Sequence, residues 1–133
     1  MAFTLEHVQQ VRNGQPRQVG VLPDSVWRKL EWPCPWVYLG RTGLAHIEEQ
    51  HPDITDIDLL NLPFAVASGM IVQVKRDPRQ VLVAYRSHDN RIYQCALKSA
   101  QSGTEVWVSS FYRIKAKGIR RILRQGDLLR GHQ

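Results

Sequence analysis

Between Met70 and Arg113 the chain makes four strand-like runs whose connections are too short to hold a crossover helix. The runs are Met70–Lys75, Gln80–Arg86, Arg91–Lys98 and Thr104–Arg113. The turn clusters Asp77-Pro78, Ser87-His88-Asp89-Asn90 and Ala100-Gln101-Ser102-Gly103 separate them. Consecutive strands on short turns imply an antiparallel meander of four. One face packs on helices and the other stays partly open. Alternation along the last run predicts Thr104, Val106, Val108, Ser110 and Tyr112 on one face, with Trp107, Ser109, Phe111 and Arg113 on the other.

Helical signals precede the meander. Val37-Tyr38-Leu39 reads as a short buried strand, followed by a helix capped by Thr42 with Leu44 and Ile47 on its apolar side. Pro52 biases His51 away from the α region and ends that helix. His46 and His51 are five residues apart, about 140° around an ideal helix, so they do not converge. Pro23-Asp24-Ser25 starts an earlier helix through Leu30, and Pro33 and Pro35 stop it. The tryptophans beside those prolines read as a packed lid over the core in preference to a ligand platform. Thr55 caps a further helical piece, and a second runs to Ser68-Gly69. Val8 and Val11 suggest a short strand that returns over Gln18–Leu22. After the meander, Lys117–Gly126 reads as a basic helix with Ile119, Ile122 and Leu123 on one stripe. The expected architecture is α+β: N-terminal helices packed on a four-stranded antiparallel sheet, closed by a C-terminal basic helix. A chain of 133 residues holds this as one domain, 1–133.

Composition bounds the function. The formal net charge is +6, and from Arg113 to Arg130 seven basic residues face a single acid, Asp127. A surplus concentrated this way favours an anionic partner, RNA or DNA above all, although a modest surplus also serves solubility. No apolar run is long enough for a membrane span, and the N-terminus lacks the pattern of a secretory signal. Cys34 and Cys95 have no motif spacing and fit buried thiols in a reduced, cytoplasmic compartment. The histidines show no zinc-protease spacing, and neither a phosphate-binding glycine loop nor a nucleophile elbow is present, so no metal or cofactor is expected.

What remains is acid–base chemistry on a phosphodiester. A histidine supplies the proton-transfer group, and cations and hydroxyls steady the charged intermediate. RNA brings its own nucleophile in the 2′-OH. Lys98 and Arg86 each end a sheet strand, where such residues are otherwise merely solvated; a histidine ending a helix likewise has a structural use against the helix dipole.

The pattern Leu22-Pro23, Trp36-Val37-Tyr38-Leu39, His46-Ile47, His51-Pro52-Asp53-Ile54, then a leucine-rich helical piece and a sheet ending Val108-Ser109-Ser110-Phe111-Tyr112-Arg113, resembles the phage-associated nuclease domains of the barnase–EndoU–colicin–RelE superfamily. The resemblance spans residues 18–130. It implies an α+β fold with a curved antiparallel sheet that binds RNA, cleaved without metal to a 2′,3′-cyclic phosphate. Relatives of this kind are toxins, which imply an immunity or antitoxin partner, or modules attached to phage head proteins. Carried over by position, His51 matches the motif histidine, Lys98 the basic residue at a strand end, and Ser109 or Ser110 the hydroxyl before the last strand's aromatic, where threonine is often found. Arg86 joins Lys98 on the phosphorane. Tyr112, Arg113, Lys115, Lys117, Arg120, Arg121 and Arg124 are the expected substrate-binding residues. Barnase uses a glutamate as base, and no matching strand position here carries one. The alternative is a non-catalytic nucleic-acid-binding or phage structural module with the same fold, and a third reading is a protein whose partner surface is not evident from sequence.

Overall fold

The computed structural model describes residues 3–100 and 105–131. The chain runs α1 (Leu5–Arg12), β1 (Arg17–Val21), α2 (Asp24–Leu30), β2 (Trp36–Leu39), α3 (Arg41–Gln50), α4 (Asp56–Leu59), α5 (Leu62–Ser68), β3 (Met70–Val74), β4 (Gln80–Arg86), β5 (Ile92–Ser99), β6 (Val106–Ile114), α6 (Lys117–Leu123) and β7 (Gly126–Arg130). The class is α+β. The strands form one seven-stranded mixed sheet in the order β1-β2-β6-β5-β4-β3-β7.

The antiparallel meander β3–β4–β5–β6 is its centre. The sheet is nevertheless larger than the expected four strands. A β1–β2 hairpin joins one side through a parallel β2–β6 pair, and β7 joins the other beside β3. Two local expectations fail for identifiable reasons. Val8 and Val11 lie on a helix, because Thr4 accepts from the His7 amide while the His7 ring accepts from the Thr4 amide, a reciprocal cap. Spaced by three, both valines then face the core. The basic helix stops at Leu123, and the chain continues as strand β7, anchored by its distal arginine. Arg130 donates from Nε to the Gly69 carbonyl (2.7 Å), from Nη1 to Ala67 (2.8 Å) and from Nη2 to Val66 (3.1 Å). These carbonyls lie at the end of α5, where a helix has no partners of its own to offer.

The sheet's first face carries the main core. Val37, Leu39, Val81, Val83, Cys95, Leu97, Val106, Val108 and Phe111 meet Val8 and Val11 of α1, Val26 and Leu30 of α2, Leu44 and Ile47 of α3, Leu59 of α4, and Leu62 and Val66 of α5. The second face is covered only in part. Ile122, with Ile114 and Ile119 beside it, packs on Met70, Val72, Val74, Leu82, Ala84 and Ala96, over β3 and β4. The half formed by β5, β6 and β2 is less covered: Lys98 is exposed, and Tyr38, Trp107, Ser110 and Tyr112 are half-buried.

One departure from strand geometry sets the shape of that half. β2 pairs with β6 only at Val37↔Val106 and Tyr38↔Trp107. The chain then turns at Gly40, the N-cap of α3 in place of Thr42, and α3 runs along the vacated edge of β6. The approach is so close that a Cβ on Gly43 would lie 2.5 Å from the Val108 carbonyl oxygen. Glycine to alanine within a helix ordinarily gains about 1 kcal/mol. At Gly43 the sign reverses: Gly43→Ala is expected to cost about 1–3 kcal/mol through forced displacement of α3 from β6. Urea denaturation of the two proteins measures it.

Candidate nucleic-acid interface on the open sheet face

Register places the residues of the open half. Tyr38, Trp107, Lys98 and Gln80 stand side by side across β2, β6, β5 and β4. Next along the strands come Ser110 and Ala96, then Tyr112 and Gln94, then Ile114, Ile92 and Arg86. The simple alternation expected for the last strand breaks at a bulge. Ala96 pairs with Ser110 and Leu97 with Val108, so Ser109 is the extra residue. Val106, Val108, Phe111 and Arg113 therefore share the first face, and Trp107, Ser110 and Tyr112 the second. Thr104 lies outside the described residues. The bulged Ser109 hydroxyl donates to the Ala96 carbonyl (3.2 Å), which commits its proton to the backbone.

The predicted site residues do not converge on one place. Lys98 and Ser109 line a cavity of about 760 Å³ together with Arg41, Thr42, Gly43, His46, Arg79 and Trp107. The Lys98 ammonium lies 3.3 Å from Asp77, whose other oxygen is 4.0 Å from Arg79. One carboxylate thus pairs with Lys98 and Arg79, while Arg41 and His46 line the same cavity without an acid partner among the described residues. No side chain caps the amino end of α3, so its first-turn amides add partial positive charge at the cavity wall. His51 lies elsewhere. Its amide closes α3 on the Ile47 carbonyl (2.8 Å), and its ring stacks on Tyr112 with centroids 4.3 Å apart. Burial raises the Tyr112 phenol, against the pull of the Arg121 charge. Tyr112 pairs with Gln94, four residues along β5 from Lys98, which is about 13 Å of strand.

Arg86 is not in either group. β4 and β5 are antiparallel, so Arg86 pairs with Ile92 while Lys98 pairs with Gln80. Six residues of β5, about 20 Å, lie between them. The two cations expected to share one phosphorane sit at opposite ends of the sheet. The histidine that does accompany Lys98 is His46. No spacing signalled it: Arg41 and His46 are five residues apart, about 140° around the helix, and only the docking of α3 along β6 brings both to the Lys98 cavity.

Arg113 serves another structure. It lies on the first face opposite Tyr93 and holds Asp58, a carboxylate with no solvent exposure. Arg113 Nη2 donates to both Asp58 oxygens (2.9 and 2.9 Å), the Tyr93 hydroxyl donates at 2.6 Å, Arg91 at 3.2 Å and the Thr55 amide at 2.8 Å. Burial alone would raise the Asp58 pKa. The Thr55 amide, Tyr93, Arg113 and the Thr55 hydroxyl outweigh it and bring the carboxyl from 3.8 to about 2. Lys115, Lys117, Arg120, Arg121 and Arg124 are exposed on and before α6, and none forms an ion pair among the described residues.

Cys34 and Cys95 are buried free thiols, and burial pushes Cys95 up to about 12. Among the described residues no three His, Cys, Asp or Glu side chains converge as a metal site, and no helix is long and apolar enough to cross a membrane. The chain matches no protein-family model, no curated protein and no solved structure.

The Asp58 cluster has a measurable signature. A carboxyl held at about 2 against 3.8 when unfolded contributes about 2.5 kcal/mol above pH 4, and this is lost as pH falls toward 2. Asp58→Ala is expected to lose about 3 kcal/mol at neutral pH. In denaturant titrations the gap between the two proteins should narrow steadily below pH 4.

Proposed function

We propose that the protein binds RNA across the open half of its sheet and cleaves it at the Lys98 cavity by transesterification. The observation that carries this reading is the convergence of Arg41, His46, Arg79 and Lys98 around one concave site walled by Trp107. A phosphodiester needs such cations for its non-bridging oxygens and a proton-transfer group that titrates near neutrality. In the reaction the 2′-oxygen attacks the adjacent phosphorus and the bond to the 5′-oxygen breaks. His46 takes the 2′-OH proton and returns it to the departing 5′-oxygen, leaving a 2′,3′-cyclic phosphate. Lys98 and Arg41 hold the non-bridging oxygens. Ser109 lines the cavity but commits its proton to Ala96, and Ser110, on the open face beside Ala96, is the hydroxyl left to meet substrate next to the cavity. The arginines of α6 and the His51–Tyr112 stack receive the strand further along the face. The resemblance to the barnase–EndoU–colicin–RelE nucleases supports the same reading, with His46 in the role that sequence position alone assigned to His51.

A second reading, RNA binding without cleavage, is favoured by one feature. Among the described residues the cavity contains a single histidine, and His51 lies too far along β6 to act on the same phosphate as Lys98.

Incubation of total tRNA and rRNA with the protein in EDTA decides between them. Cleavage predicts discrete fragments with cyclic-phosphate ends, a fall of at least about 100-fold for His46→Ala, and a much smaller loss for His51→Ala. Intact RNA that is retarded in a gel favours the binding module. Full activity in His46→Ala removes that residue from the mechanism.

A further inference from the structure

The cavity's tryptophan belongs to a larger aromatic surface. Trp36 and Tyr38 lie on β2 with their side chains on the second face, the same face as Trp107. The Tyr38 and Trp107 rings are 5.8 Å apart, and Trp107 stands beside Lys98 in the register. Trp36 is 49% exposed, and its hairpin neighbour Val21 is 45% exposed. Of the two tryptophans that flank Pro33 and Pro35, only Trp32 behaves as a lid: it is buried, its indole donates to the Pro78 carbonyl, and its own carbonyl accepts from the Trp27 indole. Trp36 has no such role. One exposed ring, Trp36, beside the half-buried Tyr38 and Trp107, in a row that leads into a cluster of cations, fits a ligand that is anionic along its backbone and flat and apolar along its side.

We infer that the RNA is held single-stranded, with successive unpaired bases stacked on Trp36, Tyr38 and Trp107 while its phosphates follow Lys98, Arg79 and Arg41. The inference rests on the RNA reading of this same face and names the form the RNA must take. A duplex hides its base faces in its own stack and offers these rings nothing to cover. Stacking on aromatic side chains is tolerant of sequence, so the row sets strandedness and leaves base identity to other contacts.

The test is fluorescence anisotropy with a labelled, unstructured 2′-O-methyl RNA 12-mer, which lacks the nucleophile and stays intact, alone and annealed to its complement. The single strand should bind more tightly than the duplex. Trp36→Ala should weaken the single strand about five- to 150-fold, the worth of one stacked base, while Trp36→Phe retains most of the affinity. Lys98→Ala should weaken both forms and lower the salt slope by about 0.7 for the single strand. Trp36 is a surface residue, so its loss should leave the fold intact, which thermal denaturation checks. Duplex binding equal to the single strand, or wild-type affinity in Trp36→Ala, overturns the stacking while the Lys98 effect keeps the RNA reading in place. No binding of either form removes both, and the aromatic row is then a protein-docking surface.

Discussion

After only two residue pairs β2 parts from β6, and the fold depends on what fills the gap. A strand edge abandoned in mid-sheet leaves backbone donors and acceptors open to pairing by another chain. Here a helix covers the edge without extending the ladder, and a residue without a side chain, Gly43, lets the backbones touch. The consequence reaches both histidines of α3. They are five residues apart, so the helix carries them about 7.5 Å along β6, one to the Lys98 cavity and one to the Tyr112 ring. Neither position follows from the helix alone.

Charge is divided between the faces. Arg12 bonds Asp56 and Glu48, Arg91 and Arg113 bond Asp58, and Arg130 bonds the end of α5. These arginines tie helices to one another and to the sheet, and they consume acids on the helical side. The surplus that gives +6 is thereby left to Arg41, to the Lys98 cavity and to α6. A basic protein need not present a basic surface everywhere. This one buries Asp58 and pairs Asp56 and Glu48 with Arg12 on the helical side, and at the cavity Asp77 is shared by Lys98 and Arg79.

The central meander was legible because each strand is a largely apolar run of strand length between its own turn residues. The additions to it were not, since the β2–β6 pair and the β7–β3 pair join segments far apart in sequence, with no local signal for the partner. The bulge at Ser109 escaped because no glycine or proline marks it, and one inserted residue was enough to exchange the faces of Ser110 through Arg113. The grouping of Arg86 with Lys98 was avoidable: in an antiparallel pair, residues at the C-terminal ends of neighbouring strands lie at opposite edges. Arg113 was counted with the basic tail because Asp58 reads as an ordinary residue in the first turn of a capped helix. Its burial arises only when α4 is laid against Tyr93.

The extent of the open face is set by the strand after α6. Ile119 and Ile122 anchor the helix over β3 and β4, and the chain must then reach β7 within a few residues. At Gly126 the backbone passes so close to Gln73 that an added Cβ would fall 1.7 Å from its carbonyl oxygen. At the far end of β7 the Arg130 fork fixes the strand to α5. With both ends of β7 held, α6 sits over β3 and β4, packed on Met70, Val72, Val74, Leu82 and Ala84. A longer helix at this point would have closed the sheet from both sides. The short one leaves an aromatic and cationic surface beside a row of arginines, and the face that lacks a complete helical layer is the one for which RNA binding is proposed.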